Sequence, residues 1–427
     1  MQAWWRQKRW GIAILLMLVT AVGSIDRQAM SVAASSIKSE FQLTNTEYGA
    51  IASAFLAAYG IGQLLAGMFV DRLGTRRALS LAVIWWSIAA ILHAFARGFW
   101  GFFGARAMLG FTEGANYPAA FKAIAEWFPK AERSMATGIV SAGTGLGLIL
   151  APPLAALLIY FFSWHAAFIV PGVAGFAWVW WWRRHYHLPE QHPTISAGER
   201  ELATRDRIGS AAGGEARRGA WRTWGHYLRY RETWGLLLAR FAGDGAFYFF
   251  SVWLPLYMQS ERGFSVLNVA WLVAIPFVFA DIGSLSGGWL GQHLIRRGWS
   301  VNRSRKTMIW LGALGVLVAW PVNVVQDWWL ALLLSSLAIA SIQVKTSSLF
   351  PLAADLYPAR DVATVWGMSG AAGACGAALF QWGFGWLIDV HGYNPVFVIV
   401  SVMCIVQAAL VSLLIPHVGP LAQGRAR

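Results

Sequence analysis

The run WGFFGARAMLGFTEGANYPAAF, residues 100–121, sets an arginine, a glutamate and an asparagine into otherwise apolar sequence. On a helix of 3.6 residues per turn, the spacing of Arg106, Glu113 and Asn116 brings all three to one face. A charged side chain at the centre of a bilayer costs roughly 2.5–3.5 kcal/mol on insertion scales, so this stripe predicts a protein-lined or watery cavity. The rest of the chain has to supply the walls.

Composition agrees with a membrane setting. Of 427 residues, 57% are hydrophobic and only 13% charged, with 26 Trp, whereas a soluble chain carries roughly a quarter charged residues. Twelve apolar runs stand out, at 10–34, 47–70, 78–96, 99–121, 134–161, 165–182, 234–259, 265–290, 307–322, 328–357, 362–388 and 394–416. About twenty residues suffice for roughly 30 Å of hydrocarbon. The expected fold class is an all-α membrane protein, with 12 transmembrane helices in two six-helix pseudo-repeat bundles. Residues 1–182 form the first bundle and 233–427 the second. Between them, 183–232 is a polar cytoplasmic linker with a short surface helix near Trp221 to Arg231. A six-plus-six plan with a basic central loop is that of transporters built from repeats, whose substrate sites lie near the midplane between the halves.

A net charge of +14 would suit a nucleic-acid partner, but its placement argues against one. With the N-terminus inside, 27 of the 34 Lys and Arg residues fall on the cytoplasmic side: Arg6, Lys8 and Arg9; Arg72, Arg76 and Arg77; Lys122, Lys130 and Arg133; ten arginines between Arg183 and Arg231; the Arg296–Lys306 cluster; Arg360, Arg425 and Arg427. The outer loops hold only Lys38, Arg97 and Arg262. The positive-inside rule therefore places both termini in the cytoplasm. Arg27, Arg106, Arg240 and Lys345 are left inside apolar runs. Cys375 and Cys404 also lie in apolar runs and read as packing residues. The basic start Trp4 to Trp10 imitates a signal peptide, but its long apolar run and the eleven that follow mark a retained first span. His185, His187 and His192 lie in the linker without metal-ligand spacing, and no clustered catalytic set is present. No enzyme activity, metal or cofactor is expected.

Other polar residues interrupt the spans. Asp26 and Arg27 are either a self-neutralising pair or a titrating carboxylate beside a cation for an anionic substrate. Tyr59 and Gln63, at i and i+4, form one hydrogen-bonding face. In Ser141-Ala-Gly143-Thr144-Gly145-Leu-Gly147 the small residues favour close helix packing, and Thr144 is the hydroxyl expected at the cavity. Pro152 and Pro153 are expected to loosen the backbone for a hinge or kink. Arg240 lies one turn before Asp244, so an internal ion pair is expected there.

The segment Gly67-Met-Phe-Val-Asp71-Arg72-Leu-Gly74-Thr-Arg76-Arg77 resembles the signature between the second and third helices of the major facilitator superfamily. The resemblance implies that Asp71, Arg72, Gly74 and Arg76 belong to a latch that holds the outward-open state. It narrows with Glu113-Gly-Ala-Asn116-Tyr-Pro118, Ala-Glu126-Trp-Phe-Pro129, Arg240-Phe-Ala-Gly-Asp244 and Tyr393-Asn-Pro-Val-Phe397, which look like the hexuronate and hexonate transporters of the anion:cation symporter family. By that resemblance Asp26 and Glu113 are the proton-carrying carboxylates, Arg106 shares their network, and Arg27, Tyr59 and Thr144 line the substrate site. Gln63, Asn116, Gln343 and Ser347 complete the expected set.

The chain departs from the family in three places. Gln292 replaces an acidic residue in the second-half copy of the latch, and Gly145 stands where an asparagine is common. Lys345 takes an aromatic position. Ser341, Lys345 and Ser348 share a face at i, i+4 and i+7, so this stripe is expected to look into the cavity. Lys345 has two readings: snorkelling or pairing with Asp244 or Asp281, or a second anion-binding point for a diacid, a keto-uronate or an unsaturated uronate oligomer. The resemblance implies proton-coupled symport of a sugar acid (a hexuronate, a hexonate, or a keto-deoxy or unsaturated uronate) into the cytoplasm by alternating access. The expected setting is the lipid bilayer of a bacterial inner membrane, the expected partners are the carboxylated sugar and protons, and the expected state is a monomer. The alternatives are uniport or antiport of another carboxylate, such as a dicarboxylate or aromatic acid, and a non-transporting membrane sensor.

Overall fold

Each of the twelve apolar runs is helical, and the two carrying Glu113 and Asp244 are broken beside those residues. The computed structural model describes residues 7–129, 132–203, 220–358, 361–419 and 421. Arg6, Lys130, Arg205, Arg207, Arg217, Arg218, Arg360, Arg425 and Arg427, all counted above to the cytoplasmic side, lie outside the described residues. Before the linker come α1 (Lys8–Val32), α2 (Ala34–Phe41), α3 (Asn45–Leu73), α4 (Thr75–His93), α5 (Gly98–Glu113), α6 (Asn116–Trp127), α7 (Arg133–Phe161) and α8 (Ala166–His185). After it come α9 (Ala220–Tyr227), α10 (Arg231–Gly243), α11 (Gly245–Ser260), α12 (Val266–Arg296), α13 (Val301–Gly315), α14 (Trp328–Leu349), α15 (Leu352–Leu356), α16 (Val362–His391) and α17 (Asn394–Leu414). A 3-10 stretch, Val316–Asn323, extends α13. The short linker helix is present as α9, with Gly225 and His226 exposed, while Tyr227 is buried against Tyr357 and Tyr230 is buried beside Tyr227.

Local sequence sets many of the boundaries. Thr44 Oγ1 accepts the Glu47 amide at 3.1 Å while Glu47 accepts the Thr44 amide at 2.9 Å, a reciprocal cap for α3. Ser265 and Ser300 cap α12 and α13 in the same way with single bonds. The turn from α3 into α4 is made by Gly74 at φ 75°, a left-handed conformation that favours glycine.

Among the described residues, nine helices are long and apolar enough to cross a membrane. The fourth and seventh expected spans miss that mark because each is split, α5 from α6 and α10 from α11. The sixth, α8, is rich in tryptophan and ends in Arg183-Arg184-His185. At the fourth span α5 ends on Glu113 and α6 begins on Asn116, but Gly114 and Ala115 between them keep right-handed helical dihedrals, and Arg106, Glu113 and Asn116 share one face, bonded to Arg27 and Thr20 of α1. Gly114 lies there against the backbone of Gly62 and Gln63, a contact that leaves no space for a Cβ. Broken helices at membrane depth are tolerated where protein or a watery cavity surrounds the freed backbone groups. The helix α7 continues through Pro152 and Pro153.

The two halves meet along α3 and α16, where Gly49 and Gly385 let the backbones touch Gln381 and Asn45. At the end away from the linker the halves are bonded together. Asp389 accepts the Asn45 amide at 3.0 Å, the Thr46 amide at 2.7 Å and the Thr46 hydroxyl at 2.6 Å. Gln28 donates to Ser251 at 3.0 Å, Tyr48 to the Val252 carbonyl at 3.2 Å, and Ser35 to Gln259. At the linker end the halves diverge around a cavity.

Candidate functional site

That cavity holds about 1970 Å³ and runs from Gln28, Tyr48 and Ser251 at the closed end to Trp224, Tyr227 and Asp361 at the linker end. The first half contributes Arg27, Tyr59, Gln63, Arg106, Tyr117 and Thr144 to its wall; the second contributes Arg240, Asp244, Tyr248, Asp281, Gln343, Lys345 and Ser347. Gln63 donates to the Tyr59 hydroxyl at 3.1 Å, and Tyr117 and Thr144 share a bond of 2.6 Å.

In the first half the cations face the cavity and the carboxylates stand behind them. Arg27 Nε donates to Glu113 Oε2 at 2.6 Å, and Glu113 is 1% exposed and does not border the cavity. The Arg27 guanidinium lies 5.8 Å from the Phe55 ring and 5.3 Å from the Tyr59 ring, two contacts that hold it against the wall. Arg106 Nη2 donates to the Arg27 carbonyl at 3.2 Å, and its guanidinium is 5.7 Å from the Phe55 ring. Asp26 is buried, and neither of its oxygens has a hydrogen-bond partner among the described residues. Arg27, Arg106 and Glu113 all act on it electrostatically. The remaining oxygen of Glu113 is likewise unpartnered. Asn116, expected at the substrate, is instead turned into the bundle, where it donates to Thr20 at 3.3 Å. The whole stripe faces α1, so Asn116 meets Thr20, and of the three only Arg106 borders the cavity.

The second half also pairs an arginine with a carboxylate, but there both groups border the cavity. Arg240 donates to Asp244 through Nε at 2.9 Å, with Nη2 at 2.8 Å from the same oxygen, so the pair expected within one turn is formed. Its guanidinium lies between Phe350 and Trp366, 4.8 Å from each ring. Lys345 pairs with neither Asp244 nor Asp281. Its ammonium donates to Gln407 Oε1 and to Cys404 Sγ at 3.3 Å. The stripe Ser341, Lys345, Ser348 is corrected as well: Lys345 borders the cavity, but Ser341 packs against Gly315 and Ser348 against Gly291. Beside Lys345 and Ile342, the cavity is bordered by Gln343, Thr346 and Ser347 of α14 and by Phe350 just after it, an i, i+3, i+4, i+7 set shifted around the helix. Gly145 faces Asp281, whose Oδ2 lies 2.6 Å from where a Cβ at 145 would stand.

The residues expected to form the latch lie at the linker end. Asp71 pairs with Lys122 of its own half at 2.7 Å, and Arg76 bonds the Arg183 carbonyl, tying α4 to α8. Arg72 and Gln292 are exposed. Sequence reading passed over Tyr248, Trp366 and Gln407. Gln407 carried a signal, since it is a buried amide in the apolar run of α17.

The profile described as Major Facilitator Superfamily matches residues 16–303. The chain is 31% identical to a hexuronate transporter of Escherichia coli strain K12 over 405 residues, covering 94% of this chain and 93% of that one. It is 30% identical to a D-galactonate transporter of Escherichia coli O6:H1 over 417 residues, 96% of each. Among solved structures, a bacterial homologue of the human lysosomal transporter Spinster, 18% identical, superposes with a TM-score of 0.73 over 95% of each chain. That likeness concerns the fold alone.

Proposed function

The chain belongs to the major facilitator superfamily and is a membrane transporter, not an enzyme, and from that premise we propose that it brings a sugar acid into the cytoplasm by proton-coupled symport. The sugar acid is suggested by the hexuronate and D-galactonate transporters among its relatives. The observation that carries the coupling is the ion pair of Arg27 and Glu113, a cation on the cavity wall held by a carboxylate in the layer behind. A substrate carboxylate and Glu113 compete for one guanidinium. A proton on Glu113 ends that competition, and Asp26 beside it, without hydrogen-bond donors, is the second carrier. Entry of an anion against the membrane potential costs about 2.3 kcal/mol per charge per 100 mV, which a co-transported proton offsets.

In this reading Arg27 and Arg106 take the carboxylate, and Tyr59, Gln63, Thr144, Gln343 and Ser347, all bordering the cavity, take hydroxyls. Asn116 is left out, because its amide is engaged with Thr20. The positive-inside bias makes the linker end cytoplasmic and both termini internal, in a bacterial inner membrane. The arrangement described is then the inward-open state, with Asp389 closing the periplasmic end and the latch around Asp71 and Arg72 released from its outward-open role. Purified protein in liposomes, offered radiolabelled hexuronates and hexonates with an inwardly directed proton gradient, should accumulate at least one above equilibrium and lose that accumulation to a protonophore. Uptake that is indifferent to the gradient, or that requires an internal counter-anion, refutes symport.

A further inference from the structure

The second half contains a buried cation that the reading above leaves without a task. Lys345 is 1% exposed, and its ammonium bonds only the neutral partners Gln407 and Cys404 among the described residues. A buried charge without an opposite charge is expensive to keep, so a use for it is expected. Its surroundings indicate one. Gln407 turns its amide oxygen to Lys345 and its amide nitrogen to Asp244 Oδ1, 3.4 Å away. Asp244 spends its other oxygen on Arg240, which borders the cavity. The order is ammonium, amide, carboxylate, guanidinium, with each donor aimed at the next acceptor as far as Asp244, and hydrogen bonds in such a chain polarise one another.

We propose that Lys345 is a built-in counter-ion for Asp244, acting through Gln407, which frees Arg240 to grip a second carboxylate of a dicarboxylate sugar acid whose first carboxylate is held by Arg27. This deepens the transport reading and rests on it. When Arg240 turns to an anion in the cavity, Asp244 loses its guanidinium. In the first half the matching carboxylate, Glu113, is discharged by a proton; in the second half the positive charge of Lys345 already stands one amide away. The four-group chain carries one net positive charge at rest, from two cations against one carboxylate, and becomes neutral when the second carboxylate of the cargo docks on Arg240. The lysine is therefore a counter-charge and not itself the anion ligand, which accounts for an ammonium directed at Gln407 and Cys404.

The test compares D-galactarate with D-galactonate, open-chain acids of the same skeleton that differ by a terminal carboxylate in place of a terminal alcohol. Uptake of each into proteoliposomes gives a galactarate-to-galactonate ratio that cancels differences in protein activity. Lys345→Met should lower that ratio by about tenfold or more, the scale of losing a hydrogen-bonded partner of a buried charge. Lys345→Arg should keep most of it, and Lys345→Met with Asp244→Asn should restore it, because no charge is then stranded. Gln407→Leu cuts the same link without changing charge and should lower the ratio too; it also serves if Lys345→Met does not assemble. A ratio unchanged in Lys345→Met or, failing its assembly, in Gln407→Leu overturns the proposal, as does a wild type that takes up galactonate but not galactarate. Uptake of neither acid, nor of any hexuronate, by the wild type overturns the transport reading itself.

Discussion

Replacing Glu113 by glutamine removes the charge and keeps the shape, so Glu113→Gln imitates the protonated carrier. In the ionised wild type a substrate must draw Arg27 away from a carboxylate 2.6 Å distant and 1% exposed. A hydrogen bond to a charged group contributes about 1.5–3 kcal/mol inside a protein, which corresponds to roughly 10- to 150-fold in an equilibrium constant. The variant starts without that competitor. At alkaline pH it should therefore bind the transported acid about 10- to 150-fold more tightly than the wild type. Near acidic pH, where the wild-type carboxyl holds its proton, the two should converge. The sign follows from competition: raising the pH restores the rival anion in the wild type and changes nothing at position 113 in the variant. Titration calorimetry at several pH values measures this directly. In liposomes the variant should exchange internal for external substrate while failing to accumulate it under a proton gradient. Affinity that falls with pH as steeply as in the wild type, or full gradient-driven accumulation, would refute the role given to Glu113.

Three further outcomes are expected. Asp389→Ala removes three hydrogen bonds that join the halves at the closed end, and losing even one charge-assisted bond shifts a two-state equilibrium by roughly tenfold. A cysteine introduced at Ser35, with Cys375 and Cys404 replaced, should then react about tenfold faster with an impermeant maleimide added outside; an unchanged rate contradicts the closure. Gly145→Ala places a Cβ within 2.6 Å of Asp281, so transport should slow, and Asp281→Ala in the same chain should recover it if the collision is the cause. Lys38, outside the spans, is held below the ordinary lysine value by burial, with Asp389 opposing. For a base with a depressed folded value, the folded state sheds its proton first, so stability rises with pH between that value and about 10.5. Lys38→Met should raise the melting temperature most at neutral pH and lose its advantage as pH passes that range.

The spans and the charged cluster of the first half were legible because charge is rare in oily sequence, and Asp26, Arg27, Arg106 and Glu113 announce themselves on cost alone. What was not legible depends on partners distant in the chain. The helix break after Glu113 keeps perfect helical periodicity in sequence and arises where Gly114 meets the backbone of Gly62 and Gln63. The rotation of α14 was misread for a similar reason. Two polar faces were available, and the glycines of α13, Gly312 and Gly315, draw Ser341 and the backbone of Lys345 toward α13. Pro152 and Pro153 do not end α7, since neighbouring helices can satisfy the groups a membrane proline frees.

The placement of charge gives the two halves unequal tasks. Leaving aside the Asp71–Lys122 pair and Asp361 toward the linker end, the cavity is bordered or backed by Arg27, Arg106, Asp26 and Glu113 from one half. The other half supplies Arg240, Lys345, Asp244 and Asp281. With every group ionised the first half sums to zero, and the second does so only by counting Asp281, which stands against Gly145 of the other half and outside the Lys345–Gln407–Asp244–Arg240 chain; an anion arriving on the first half therefore brings an uncompensated charge that the bilayer resists carrying. In the first half the deficit can be met only by neutralising a carboxylate, because both of its cations are the ones the cargo uses. The second half holds a cation that the cargo need not touch, and so can release Arg240 without a proton. In the proposed symport, coupling belongs to the first half because its carboxylates have no spare cation, and tolerance of a second negative charge belongs to the other half because Asp244 does.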